Sequence, residues 1–119
     1  MYEQTGTAPD AIDVCELHDN STIAATLLYE ALGFCREGHV DRFIEDGDNT
    51  YGGDMVINPS GGLLANGYSP QATELAQCAE LVWQLRWEAG ERQVQGARTA
   101  LQHHLGLAAT REVTLYRRN

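Results

Sequence analysis

No run in this chain approaches the ~20 consecutive apolar residues that a bilayer span requires, and its start, MYEQT, lacks a basic segment followed by an apolar one. These absences set the expectation of a soluble, untargeted, cytoplasmic protein. Basic side chains are scarce, 8 Lys and Arg against 17 Asp and Glu, for a formal charge of −9. Such a balance repels polyphosphate backbones unless the few cations cluster, and they gather only loosely, at Arg111, Arg117 and Arg118. Neither a nucleic-acid nor a membrane partner is expected, although a local arginine patch remains able to hold a small phosphorylated ligand. The three cysteines, Cys15, Cys35 and Cys78, are far apart and form no C-x-x-C pair, so neither a disulfide framework nor a zinc site is suggested; buried thiols are expected. Internal repeats and low-complexity tracts are missing, and nothing matches a Walker P-loop or a G-x-G-x-x-G fingerprint.

What is present suffices for one modest domain over 1–119: 119 residues, 43% of them hydrophobic. The first residues read as a last helical turn closed by Gly6, with no beginning to that helix in the chain. Residues 12–17 alternate apolar and acidic side chains, the pattern of a strand with one buried face. Polar residues 18–21 then precede an Ala- and Leu-rich helix over 22–32, stopped by Gly33. The charged, glycine-containing stretch 36–54 shows no clear period and reads as a long loop. From 72 to 89, Leu75, Ala76, Ala79, Val82, Trp83 and Leu85 recur at helical spacing and predict a stripe facing a core. Strands are expected at 97–101 and 112–116, joined through a turn containing His103 and His104. The order strand, helix, loop, helix, strand, strand predicts an α/β fold, a mixed sheet covered by helices.

Three places carry polar residues beyond strand ends, where ligands of such sheets bind. His18 with Asp19 has the composition of a base and its orienting carboxylate, although adjacent residues point apart, and Asp19, Asn20 or Ser21 can instead cap the helix. His103 and His104 would bind a metal only with a third ligand, for which His18 and His39 offer no supporting spacing, so no metal site is expected. The acidic run 45–54 lacks the glycine position and terminal glutamate of a calcium loop. In the loop 58–68, Gly61 and Gly62 permit close backbone approach to a ligand, and Asn66-Gly67 permits a tight turn.

Several longer motifs, in order, cover nearly the whole chain: IDVCELHD at 12–19, YEALG at 29–33, GDNTYGG at 47–53, INPSGG at 57–62, LAQCAEL with WQLR at 75–86, and ALQH at 100–103. On these residues the chain resembles the C-terminal half of thiolases, in the sterol-carrier-protein and lipid-transfer-protein branch. The resemblance implies one of two similar halves, each a mixed sheet with helices. It also implies dimerisation and coenzyme A thioester substrates, with no covalently bound cofactor. The nucleophilic cysteine of the family lies in the N-terminal half and none of the three here matches it. The chain also lacks the first strand and most of the first helix of its own half, so it is expected to need an N-terminal-half partner or a homo-oligomer.

The chain departs from the family at its catalytic motifs. His18 matches the first position of H-D-x-F, but Asn20 and Ser21 do not match the rest. The loop G-H-P-x-G-A-T-G becomes GYSPQATE at 67–74, placing Tyr68 at the histidine position and Gln71 and Glu74 at two glycines. H-N-x-G-x-G-G becomes HHLGLAA at 103–109. A phenol that ordinarily titrates near ~10 does not replace an imidazole base at neutral pH without a strong shift, which argues against thiolysis. Relatives in this branch resemble the pattern while cleaving β-hydroxyacyl-CoA thioesters of steroid side chains by a retro-aldol step, with an OB-fold partner. The expectation is therefore a retro-aldol subunit with Tyr68, His18 and His103 as catalytic residues and Asn58, Gly61, Gly62 and Gly67 on the coenzyme A side. The alternative is a catalytically inactive thiolase-like binding or structural subunit.

Overall fold

The computed structural model describes residues 1–106 and 110–119. Four strands, β1 (Val14–Glu16), β2 (Val56–Ile57), β3 (Thr99–Leu105) and β4 (Arg111–Arg117), form one mixed sheet in the order β2-β1-β3-β4. β1 runs parallel to both its neighbours, and β3 and β4 are antiparallel. Among the described residues, five α-helices surround the sheet: α1 (Tyr2–Thr5), α2 (Thr22–Ala31), α3 (Val40–Glu45), α4 (Gly62–Asn66) and α5 (Ala72–Arg86). The expected α/β architecture is therefore the observed one.

Side-chain alternation along the strands divides the core. Cys15, Leu17 and Leu101 pack with Ala25 and Tyr29 of α2, whereas Val14 and Ala100 pack with Leu81 and Leu85 of α5. Leu17, Leu81 and Leu101 are fully buried, each worth roughly 2 kcal/mol of transfer free energy. β1 thus has helices on both faces, and Val14, Cys15 and Glu16 are all buried. This corrects the expectation of one buried face: Glu16 points at α5, not at solvent.

α2 begins where expected, the Ser21 Oγ accepting from Ala24 N–H at 3.0 Å, and Gly33 follows it at φ 77°. Gly6 likewise closes α1 with φ 67°. Within the stretch 36–54, read as loop, lies α3, a single short helix around the buried Phe43. α5 ends earlier than predicted, at Arg86, because Trp87 takes a left-handed backbone (φ 61°), held by its indole N–H to Ala97 O at 2.9 Å and by the Arg118 guanidinium 3.8 Å above its ring.

The buried face of α5 is also not the predicted one. Gln77, Glu80, Leu81, Gln84 and Leu85 are buried, while Leu75 and Trp83 are exposed. Polar side chains are tolerated inside because each is paired. Gln77 donates to His103 O, Gln84 donates to Arg92 O and accepts from Val94 N–H, and Glu80 takes the Arg92 guanidinium at 3.0 Å. The apolar stripe Leu75, Ala76, Ala79, Val82, Trp83 is left on the outer side.

Candidate functional site

The loop after β2 is fastened to the end of β1. Asn58, at φ 54°, accepts from Leu17 N–H on its side-chain oxygen at 2.6 Å and donates its own N–H to Cys15 O at 2.7 Å. Asp19 Oδ1 accepts from Leu63 N–H at 2.7 Å, satisfying a donor at the start of α4. Asp19 is therefore turned toward α4 and not toward His18, and Ser21 caps α2. A Cβ on Gly62 would lie 2.4 and 2.5 Å from the two Asp19 carboxylate oxygens. The close approach that Gly62 permits in this structure is that of Asp19.

Ser60 donates both its N–H (3.1 Å) and its hydroxyl (2.8 Å) to the Glu16 carboxylate. Burial pushes the Glu16 carboxyl up to about 7 despite those two bonds, with smaller contributions from Glu80 and Asp19. Because its pKa in the folded state exceeds the unfolded value of 4.5, Glu16 contributes stability that is fully present below pH 4.5 and lost as pH rises to about 7. His103 acts with the opposite sign: burial first, then His18, His104 and Arg111, push it down to about 4 from 6.5, so its contribution is lost as pH falls over that window. Between pH 4.5 and 6.5 the two slopes cancel. Glu16→Gln keeps an acceptor for Ser60 N–H and removes the ionisation, so from pH 4.5 to 6.5 the stability of the variant is expected to rise with pH more steeply than that of the wild type. It should also exceed the wild type at pH 8, by about 3 kcal/mol if the whole shift is expressed. Denaturant titrations at three pH values check this; parallel wild-type and variant profiles would refute it.

A cavity of about 340 Å³ opens beside Glu16, lined among others by Ser60, Gly62, Gly67, Tyr68 and Gln77. Tyr68, half-exposed on its rim, sets its ring edge-on to His18 with centroids 5.3 Å apart. His18 in turn meets His104 edge-on at 5.1 Å. His18, His103 and His104 are all buried, and the Nδ1 atom of each has no hydrogen-bond partner among the described residues. Burial and then His104 push His18 down, while Asp19 and Glu74 pull it up. Both His18 and His103 are thereby held toward the neutral imidazole, the form that accepts a proton. The two also line a neighbouring apolar cleft of about 420 Å³ against Leu27 and Leu28 of α2 and Leu32 just beyond its end.

The structure thus brings Tyr68, His18 and His103 to one end of the sheet, with Gly62 and Gly67 on the cavity wall. Asn58 and Gly61 lie behind that wall, in the turn that shapes it. His103 and His104 are not in a turn: β3 continues through both, so their side chains leave on opposite faces. That geometry prevents the two from facing one metal ion together. His39 precedes α3 and is exposed. The arginines disperse, Arg111 at one end of β4 and Arg117 and Arg118 at the other, where they bind Thr7 Oγ1 and Leu85 O. Cys15 is buried, Cys35 and Cys78 are partly buried, and all three are free. Ala108 and Ala109, which replace two family glycines, lie outside the described residues.

Sequence inspection missed Glu16, whose place in an apolar–acidic alternation looked like a solvent face, and the pairing of Glu74 with His104. Gln71 takes φ 64°, the left-handed backbone natural to the glycine it replaces in the family pattern.

Comparison with known proteins is consistent with this geometry. Residues 1–117 match the family model described as thiolase C-terminal domain-like. The chain is 59% identical over 116 residues to sterol carrier protein 2 of Rattus norvegicus, covering 98% of this chain and 21% of that protein. It is 46% identical over 105 residues to an acetyl-CoA acetyltransferase of Methanothermobacter thermautotrophicus, covering 88% of this chain and 27% of the other. Among solved structures, the Ltp2-ChsH2(DUF35) aldolase superposes with a TM-score of 0.81 at 28% identity, over 98% of this chain and 29% of that one. The chain spans about a fifth of the length of the sterol carrier proteins it matches.

Proposed function

The chain belongs to the thiolase C-terminal domain-like family, and from that premise we propose that it is the C-terminal half of a cytoplasmic enzyme that cleaves carbon–carbon bonds in acyl-CoA thioesters. The reaction is retro-aldol cleavage of a β-hydroxyacyl-CoA from lipid or steroid side-chain breakdown, not thiolysis. The observation that carries this reading is the Tyr68–His18 pair: a phenol stands where the family places an imidazole, packed against a buried imidazole held toward its neutral form.

In the proposed step, a base removes the proton of the β-hydroxyl and the Cα–Cβ electron pair moves into the thioester as an enolate. Cβ departs from Cα as the carbonyl carbon of an aldehyde or ketone, and a proton delivered to Cα restores the thioester. No thiol nucleophile is required. Tyr68 exchanges the proton at the β-oxygen and His18 serves Cα. His103 and the loop carrying Asn58, Gly61, Gly62 and Gly67 shape the pocket for the thioester, where stabilisation of the developing oxyanion lowers the barrier.

Completion by a thiolase N-terminal half, or by further copies of the chain, is part of the proposal, as is an OB-fold partner. It is supported by the outer face of α5, where Leu75 is 70% and Trp83 45% exposed along one apolar stripe. The full chain mixed with a thiolase N-terminal half is expected to release aldehyde or ketone from a β-hydroxyacyl-CoA, and the chain alone is not. Leu75→Asp with Trp83→Asp should change the stability of the isolated chain by less than about 1 kcal/mol, both sites being exposed, yet abolish release by preventing association. Absence of release from the complete complex would overturn the enzymatic reading. It would favour the inactive-subunit alternative, to which Gln71 and Glu74, side chains at glycine positions, otherwise lend support.

A further inference from the structure

We propose that Glu74 and His104 form one positioning unit for His18, a carboxylate–imidazole pair that fixes the tautomer of His104 and, through its ring, the orientation of His18. The proposal deepens the reading above by assigning roles to two residues outside its catalytic set.

The geometry is a chain of contacts. Glu74 lies in the first turn of α5, and its carboxylate Oε1 contacts Nε2 of His104, which projects from β3. His104 is 3% exposed, and its Nδ1 is buried without a hydrogen-bond partner among the described residues. A carboxylate only accepts, so the shared hydrogen belongs on Nε2 and the neutral ring presents a bare Nδ1. The edge-on ring contact of His104 with His18 and that of His18 with Tyr68 extend the series to the cavity rim. Glu74 itself is held in place: Gln102 Nε2 donates to its backbone carbonyl at 3.0 Å, and Tyr116 donates to Gln102 Oε1 at 2.7 Å. A cleft of about 210 Å³, lined by Glu74, Cys78, Gln102, His104, Glu112 and Tyr116, adjoins the pair on the β4 side.

Both members are departures from the family pattern, Glu74 for a glycine and His104 for an asparagine. Read singly, each is a loss; in the structure they meet. The ionisable groups around His18 are then Asp19 from its own segment, His103 and His104 from β3, Glu74 from α5 and Arg111 of β4 across the shared cleft, with Tyr68 in ring contact. Of these, Asp19 and Glu74 favour its protonation.

The test uses the full 119-residue chain, ¹⁵N-labelled, with long-range ¹H–¹⁵N spectra of the histidine rings. Wild-type His104 is expected as the Nε2–H tautomer. Glu74→Gln, whose amide oxygen still accepts, should retain that tautomer, and Glu74→Ala should lose it. The titration midpoint of His18 should fall in both variants, because the Glu74 carboxylate favours its protonation. Unchanged β3–β4 amide shifts would show that the variants fold. An Nδ1–H tautomer in the wild type, or a His18 midpoint indifferent to both substitutions, would overturn the proposal. Because these readouts need no substrate, they stand or fall separately from the retro-aldol reaction.

Discussion

Gly62→Ala is expected to destabilise the fold by roughly 3–5 kcal/mol, a large part of the 5–15 kcal/mol typical of a domain. Gly62 holds φ 64°, and the left-handed backbone alone costs an alanine roughly 1–2 kcal/mol. The new methyl would also sit 2.4 and 2.5 Å from the Asp19 oxygens and 2.7 Å from Asn58 Nδ2. None of these is a free side-chain end, since Asp19 holds Leu63 N–H and Asn58 holds Leu17 N–H. Moving either leaves a donor unpaired, at about 1–3 kcal/mol. Gly6 supplies the control: it is left-handed at φ 67° and ψ 20° with nothing within 4 Å of an added Cβ, so Gly6→Ala should show the backbone term only. In an Asp19→Ala background the Gly62→Ala penalty should shrink toward that of Gly6→Ala, because the principal clash is gone. Denaturant unfolding of the four variants measures both effects. A Gly62→Ala cost equal to that of Gly6→Ala would show that the loop yields freely.

That loop illustrates what could be read from the sequence. Asn58, Gly61 and Gly62 announce a turn with positive φ, and the turn is there. The occupant of the space over Gly62 was not legible, because Asp19 lies far away in sequence and only the parallel pairing of β1 with β2 brings the two together. α5 shows the same limit. Its apolar period correctly marks a helix, yet the sheet packs against the side carrying Gln77, Glu80 and Gln84. Hydrophobic periodicity locates a stripe without saying which partner covers it, and it gives no weight to buried amides whose hydrogen bonds are all satisfied. α3 escaped notice because six residues around one buried Phe43 are too few to show a period, and no side chain caps its start. At the site, Tyr68 and His18 were legible through their places in two motifs. Glu74 and His104 were not, since their meaning resides in the contact between α5 and β3.

Tyr68→Phe is expected to lower the rate of β-hydroxyacyl-CoA cleavage by the completed complex by about 10²–10⁴-fold, the usual worth of a positioned acid–base group. The substitution removes one hydroxyl from a half-exposed ring and keeps the edge-on packing against His18, so stability should change by less than about 0.5 kcal/mol. The kinetic pattern distinguishes roles: loss in kcat with little change in KM means that the hydroxyl acts in the transition state, whereas a rise in KM alone means that it only helps to bind substrate. His18→Gln removes the partner imidazole and should produce a loss of similar size. If Tyr68 and His18 exchange protons with one substrate in one step, the double variant should lose far less than the product of the two single losses. Full multiplication of the losses would make them independent contributors. An unchanged rate in Tyr68→Phe would remove Tyr68 from the chemistry and leave the phenol as a wall of the cavity. The measurement therefore decides whether replacing an imidazole by a phenol on this loop redirected the reaction or ended it.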